Sequence, residues 1–243
     1  MVAILEYTKQ SWLNWFYHLQ RCLGCQQSLD QHSHWCSECL TQLTPIYTHR
    51  CLQCALPIAS GDRCGHCLHE APYFDETFTF DDYRWPLAQF VQQFKHRRQT
   101  QLAQGLAELF YSYHPDLDSA CLCPVPMHWR KRWQRGFNQS ELLARALAKQ
   151  FRLPYRSLFS KPKSSADLIG LSRKQRQHIV KNSYQLLPNQ SLPDQVTLVD
   201  DVMTTGATLN ELARQLKQAG VAKVDCWVLA RTPVHHHPSE NSL

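Results

Sequence analysis

The sequence predicts an α/β fold, a largely parallel sheet flanked by helices, preceded by a small cysteine-rich module. Three observations carry this. Strand-like and helix-like segments alternate from about residue 74 onward. Four C-x-x-C pairs crowd the stretch Cys22 to Cys67. One run, Val196 to Leu209, reads as a buried strand that passes through small residues into a helix.

The 243 residues, 43% of them hydrophobic, suffice for one ordinary domain and a smaller module. With 26 Lys and Arg against 20 Asp and Glu, the net charge of +6 favours anionic partners, phosphorylated metabolites or nucleic acid. Glu6, Lys9 and Gln10 interrupt the first residues too early for a signal peptide. No run of about 18 apolar residues follows, so no membrane span is expected. A cytoplasmic setting is expected, and there eleven cysteines are not disulfide partners.

Residues 1–20 carry Leu5, Trp12, Trp15, Phe16 and Leu19 at helical spacing, which predicts a short amphipathic helix. Residues 21–73 form the cysteine module, residues 74–234 the α/β domain, and residues 235–243 a flexible tail whose three histidines are incidental. Alternation predicts a strand over 77–83. Helices follow over 86–96 and 100–113, a buried strand over 120–125, and a helix over 138–151 opened by Asn138 as cap. Residues 157–170 are polar and basic, a mobile loop, and 172–181 is helical. A buried strand over 196–199, a helix over 205–219 ended by Gly220, and a strand over 224–230 complete the domain.

The pairs Cys22/Cys25, Cys36/Cys39, Cys51/Cys54 and Cys64/Cys67 each form a knuckle that turns two thiolates toward one centre. Two knuckles supply the tetrahedral set that Zn²⁺ prefers, so eight cysteines predict two closed, structural zinc sites. Sequential pairing closes the shortest loops. Such a site contributes on the order of 10 kcal/mol to folding, which a module too small for its own core requires. Redox-active pairs are the competing reading, but no thioredoxin-like βαβ pattern surrounds them. His32, His34 and His66 are ligands only where a cysteine is missing, and Cys121, Cys123 and Cys226 sit in apolar, core-like surroundings.

In the run Val196-Thr-Leu-Val-Asp200-Asp201-Val-Met-Thr204-Thr205-Gly206-Ala207-Thr208-Leu209, unpaired N–H groups at a helix start suit a phosphate. Thr204, Thr205 and Thr208 add hydroxyl donors, and Gly206 permits close backbone approach. Two carboxylates beside such a cradle repel phosphate alone. They suit a ribose whose two hydroxyls donate to Asp200 and Asp201.

This run resembles the phosphoribosyl-pyrophosphate motif of type I phosphoribosyltransferases. The stretch Pro124-Val-Pro126-Met-His-Trp-Arg130-Lys-Arg-Trp-Gln-Arg135-Gly-Phe-Asn-Gln139, with the cysteine module before it, resembles the ComF/GntX family, and the similarity spans about Cys22 to Pro233. The resemblance implies a double zinc ribbon ahead of a type I phosphoribosyltransferase-like fold and a link to natural competence and incoming DNA. It implies that Asp200 and Asp201 hold the ribose hydroxyls, with Mg²⁺ bridging ribose and pyrophosphate, and that Thr204, Thr205, Gly206, Ala207 and Thr208 hold the 5′-phosphate. Pro126, Met127 and His128 fall at the pyrophosphate loop, with Lys95, Arg130 and Arg135 as counter-charges. Asp201 is placed for a general base. Leu171, Ser172 and Arg176 fit the family's L-S-x-x-x-R element, whereas Leu168 and Ile179 replace its usual Gln and Asn.

The rival reading is a non-catalytic adaptor that senses phosphoribosyl pyrophosphate and touches single-stranded DNA or competence proteins. Its candidate surface combines Arg130, Lys131, Arg132, Arg135, Lys161, Lys163, Arg173, Lys174 and Arg176 with Trp129, Trp133 and Phe137.

Overall fold

The computed structural model describes residues 21–29, 33–46, 49–96, 100–162 and 183–233. The helices expected over 1–20 and 172–181, the tail over 235–243 and the loop residues 163–171 lie outside the described residues, as do Lys163, Arg173, Lys174 and Arg176.

The elements run α1 (Ser37–Gln42), α2 (Gly65–His69), β1 (Glu76–Asp82), α3 (Leu87–His96), α4 (Thr100–Tyr113), β2 (Leu122–Pro124), α5 (Trp129–Arg135), α6 (Gln139–Phe151), β3 (Phe159–Ser160), β4 (Gln185–Leu186), β5 (Gln195–Met203), α7 (Ala207–Gln218) and β6 (Lys223–Arg231). The main sheet has the order β1-β6-β5-β2 and is parallel throughout. Strand pairing sets Asp82 and Met203 on either side of Arg231, and Pro124 beside Val199, so the carboxyl ends share one edge. That edge is where open α/β sheets bind ligands.

Period-two alternation gives the sheet two apolar faces. Trp227 and Leu229 of β6 face α3, α4 and α6, where Leu106, Phe110, Leu143 and Leu147 are buried. Val224, Cys226 and Val228 face α7, whose Leu209, Leu212 and Leu216 close the other side. Trp227 packs between Phe110 and Phe151, with ring centroids at 5.5 and 4.7 Å.

The two cysteine units dock on opposite faces. In the first, Trp35 is 2% exposed and donates its indole N–H to the Gly105 carbonyl at 2.9 Å. Gly105 lies in mid-helix because a side chain there would run into Leu23 and into His34, whose Cβ would lie 3.0 Å away. In the second, Cys51, Cys54 and Cys67 join Phe74 in the core under α7.

Five local details differ from the sequence expectations. Strand β5 runs on to Met203, because β6 pairs with it as far as Arg231, so Asp200 and Asp201 belong to the strand rather than follow it. Helix α7 begins at Ala207, since Gly206 takes φ +75° as its cap. Asn138 starts α6 without a side-chain capping bond. Its amide instead donates to the Val125 carbonyl at 3.0 Å. Helix α5 was not expected: it buries no residue, so no apolar stripe announces it, and it is held by the His128 ring accepting from Arg130 N–H and by Gly136 at φ +79°. The stretch expected as a loop from 157 opens with β3, paired antiparallel to β4.

Candidate functional site

The carboxyl ends of β5 and β2 build the site. Asp200 Oδ1 accepts the Ser140 hydroxyl at 2.7 Å and the Asp201 backbone N–H at 2.9 Å. Lys95, in the last turn of α3, reaches Asp201 Oδ2 at 3.4 Å and lies 5.8 Å from the Tyr83 ring centre. Burial and the neighbouring Asp201 charge push the Asp200 carboxyl up to about 7, against the Ser140 and Asp201 donors that pull it down. A buried carboxyl with an acid beside it fits hydroxyl groups or a hard cation with oxygen ligands such as Mg²⁺.

Beyond Met203 the chain leaves the ladder. Thr204, Thr205 and Ala207 are exposed, Thr208 is half-buried and Gly206 is buried against Met203. The Thr205 hydroxyl accepts the Ala207 N–H at 3.3 Å. Helix α7 has no acid in its first turn, so its positive end stays uncompensated. Thr208 Oγ1 lies 3.5 Å from the Tyr184 hydroxyl, which accepts from Lys161 Nζ at 2.9 Å.

Val125 N–H donates to the Val199 carbonyl at 2.9 Å, which seats the loop Pro126–Met127–His128 beside the acids. The His128 ring bonds the Pro162 carbonyl at 3.1 Å. A cleft of about 300 Å³ opens here, lined by Met127, Trp129, Arg132, Asn138 and Lys161 among others. Arg130 sits over the Trp129 ring, 5.4 Å from its centre, and Arg135 closes α5; both side chains are exposed. The structure thus gathers Lys95, Asp200, Asp201 and the 126–128 loop at one edge, beside the Thr204–Thr208 turn. Sequence reasoning missed Ser140 and Tyr184, and it read Lys161 only as part of a basic surface. Ser140 follows a Gln in the first turn of a helix, a position with no signal of its own.

In each cysteine unit, Cys22, Cys25, Cys36 and Cys39, then Cys51, Cys54, Cys64 and Cys67, all four sulfurs lie within 4.8 Å of one another. The Sγ atoms of Cys25 and Cys36 are 3.6 Å apart, as are those of Cys54 and Cys64, against about 3.8 Å for a tetrahedral Zn–S set with bonds near 2.3 Å. All eight are free thiols, paired sequentially as the spacing predicts. Burial pushes the Cys22 thiol up, but N–H groups of Cys25, Cys36 and Gly24 outweigh it and bring it to about 7. Cys51 reaches about 7 in the same way, through Cys64, Cys54 and Gln53. In each unit one thiol is thus lowered, while burial and the neighbouring thiols push Cys39, Cys54 and Cys67 up, so a bound cation would be needed to hold all four as thiolates.

The chain matches the double zinc ribbon domain over residues 12–68 and the phosphoribosyl transferase domain over residues 138–242. It is 31% identical over 220 residues to competence protein F of Haemophilus influenzae, covering 86% of this chain and 90% of that protein. It is 35% identical over 227 residues to the DNA utilization protein YhgH of Salmonella typhimurium, covering 87% and 96%. Competence protein ComFC of Bacillus subtilis is 24% identical over 88% of this chain and 96% of its own length. Similarity of this extent includes the cysteine units and the parallel sheet together, and the chain belongs to the ComF/GntX family, with a double zinc ribbon ahead of a type I phosphoribosyltransferase-like fold.

Proposed function

We propose that the chain binds phosphoribosyl pyrophosphate with Mg²⁺ and acts as a phosphoribosyltransferase-like protein in the handling of incoming DNA during natural competence. The observation that carries this is the juxtaposition at one sheet edge of two adjacent acids, Asp200 and Asp201, with the exposed turn Thr204–Thr208 at an uncompensated helix start. Ribose hydroxyls meet the acids, the 5′-phosphate meets the turn, and Lys161 adds positive charge through Tyr184. The loop 126–128 and Lys95, released from Asp201, face the pyrophosphate, with Arg130 and Arg135 on the helix that follows.

In the transfer, a nitrogen of the acceptor attacks C1 of the ribose while the C1–O bond to pyrophosphate breaks and its electron pair leaves with the pyrophosphate. Mg²⁺ supplies charge stabilisation of that leaving group. Ser140 holds Asp200 in place, and the turn anchors the sugar's other end. Thiolate zinc sites suit a reducing, cytoplasmic setting.

Calorimetric titration of phosphoribosyl pyrophosphate with Mg²⁺ into wild type and the Asp200→Ala/Asp201→Ala protein tests the reading. Binding by wild type alone is expected, and binding by neither sinks it. The adaptor reading gains from α5, where Trp129 and Trp133 are 62% and 85% exposed among Arg130, Lys131, Arg132 and Arg135, a surface suited to stacking single-stranded bases. Salt-sensitive binding of a single-stranded oligonucleotide, reduced by Trp133→Ala, is its signature.

A further inference from the structure

We propose that Arg231 is a positioning residue of the phosphate-binding turn, and that through it the second cysteine unit, not the first, governs how well the turn holds a phosphate monoester. The proposal rests on the reading of Thr204–Thr208 as a phosphate site.

Arg231 ends β6 and is 3% exposed, a depth at which a guanidinium needs its donors matched. Its Nε donates to the Cys54 carbonyl at 2.8 Å. Its Nη1 donates to the carbonyls of Met203 at 3.0 Å, Thr204, and Thr232 at 2.9 Å. Met203 and Thr204 are the residues where β5 gives way to the turn. In a planar trans peptide the carbonyl and the next residue's N–H point in opposite directions. Holding the carbonyls of Met203 and Thr204 from behind therefore aims the N–H groups of Thr204 and Thr205 away from Arg231, toward the exposed side of the turn. It also withdraws two carbonyl oxygens that would repel an anion and places a full positive charge behind the turn.

The far end of this brace is as firm as Cys54 itself, whose sulfur is one of the four that converge in the second unit. Two further contacts run the same way. The Tyr73 N–H donates to Asn210 Oδ1 in the first turn of α7 at 2.6 Å, and Phe74 lies against Gly206. The first unit is anchored elsewhere: Trp35 to the Gly105 carbonyl, and Ser33 and His34 to Glu108 of α4. Among the described residues, none of its hydrogen bonds reaches the turn.

The test is calorimetric titration of ribose 5-phosphate and, separately, magnesium pyrophosphate into the full chain. Arg231→Lys keeps the charge but cannot span Cys54 and both turn carbonyls. It is expected to weaken ribose 5-phosphate about tenfold or more while pyrophosphate changes less than about twofold. Cys64→Ser, at a half-buried ligand of the second unit, is expected to show the same selective loss, and Glu108→Gln, which loosens only the first unit, to show none. A general structural defect weakens both ligands alike, and that result, or wild-type affinity in Arg231→Lys, overturns the proposal. A wild type that binds no ribose 5-phosphate overturns the phosphate site itself. Should Cys64→Ser fail to fold, the two-ligand comparison in Arg231→Lys decides.

Discussion

The Ser140 hydroxyl donates to Asp200 Oδ1 at 2.7 Å, tying the first turn of α6 to the carboxyl end of β5. Asp200 otherwise leans on a strand-end amide alone among the described hydrogen bonds, so this hydroxyl is its side-chain support. Ser140→Ala is expected to weaken magnesium phosphoribosyl pyrophosphate about fivefold, the equivalent of one lost hydrogen bond of about 1 kcal/mol. Calorimetry checks it, and unchanged affinity would show that Asp200 keeps its place without the serine.

The raised Asp200 carboxyl makes a pH-dependent prediction. Its folded value of about 7 lies above the ordinary 3.8, so the folded state holds the proton more tightly than the unfolded chain. That advantage is complete below about pH 4 and is lost as pH rises through 7. Asp200→Asn removes the titration. The variant is expected to be more stable than wild type by roughly 1–3 kcal/mol at pH 8, with the gap closing toward pH 4. Urea denaturation across that range checks the slope, while the same variant is expected to lose ligand affinity.

Gly206→Ala tests the turn from the other side. Gly206 sits at φ +75°, and the added methyl meets only the movable end of Met203, so backbone conformation is the main cost. A loss of about 1–2 kcal/mol in stability is expected. A larger fall in affinity for ribose 5-phosphate than in stability would mark the turn as the binding element.

Metal removal has a distinct thermal signature. Because Trp35 belongs to the core shared with α3 and α4, and Cys51, Cys54 and Cys67 to the core under α7, stripping the units with chelator takes support from both faces. Scanning calorimetry is expected to show one transition shifted downward, by on the order of 10 °C or more. A separate low-temperature transition with the main peak unmoved would mean that the units are decoration.

What the sequence discloses and what it withholds divide along chain distance. The four-cysteine groups are legible because knuckle spacing is local, and α4 is observed over the predicted residues because its apolar stripe is complete within fourteen positions. The acid pair and the threonine turn are legible as a motif, but the end of β5 is not. Its last rungs depend on β6, a partner that local pattern does not name. Ser140 and Lys161 gain meaning only from Asp200, 60 residues on, and from Tyr184, 23 residues on. Asn138 misleads for the same reason: a good capping residue by type, it is claimed by the Val125 carbonyl. Helix α5, wholly at the surface, has no buried stripe to betray it.

The bond from Arg231 to the Cys54 carbonyl spans 177 residues, and that separation sets an order on assembly. During synthesis both cysteine units emerge before any strand of the main sheet, with sulfur ligands in hand but no surface to rest on. The first gains its seat when Gly105 and Glu108 appear. The second meets β1 early, where the Thr77 N–H donates to the Leu52 carbonyl at 2.9 Å, but its brace to the turn waits for the last strand of the sheet. Until residue 231 has been made, the second ribbon touches the end of β5 only through Tyr73 and Phe74 among the described contacts, and the final strand is the clasp that completes the join.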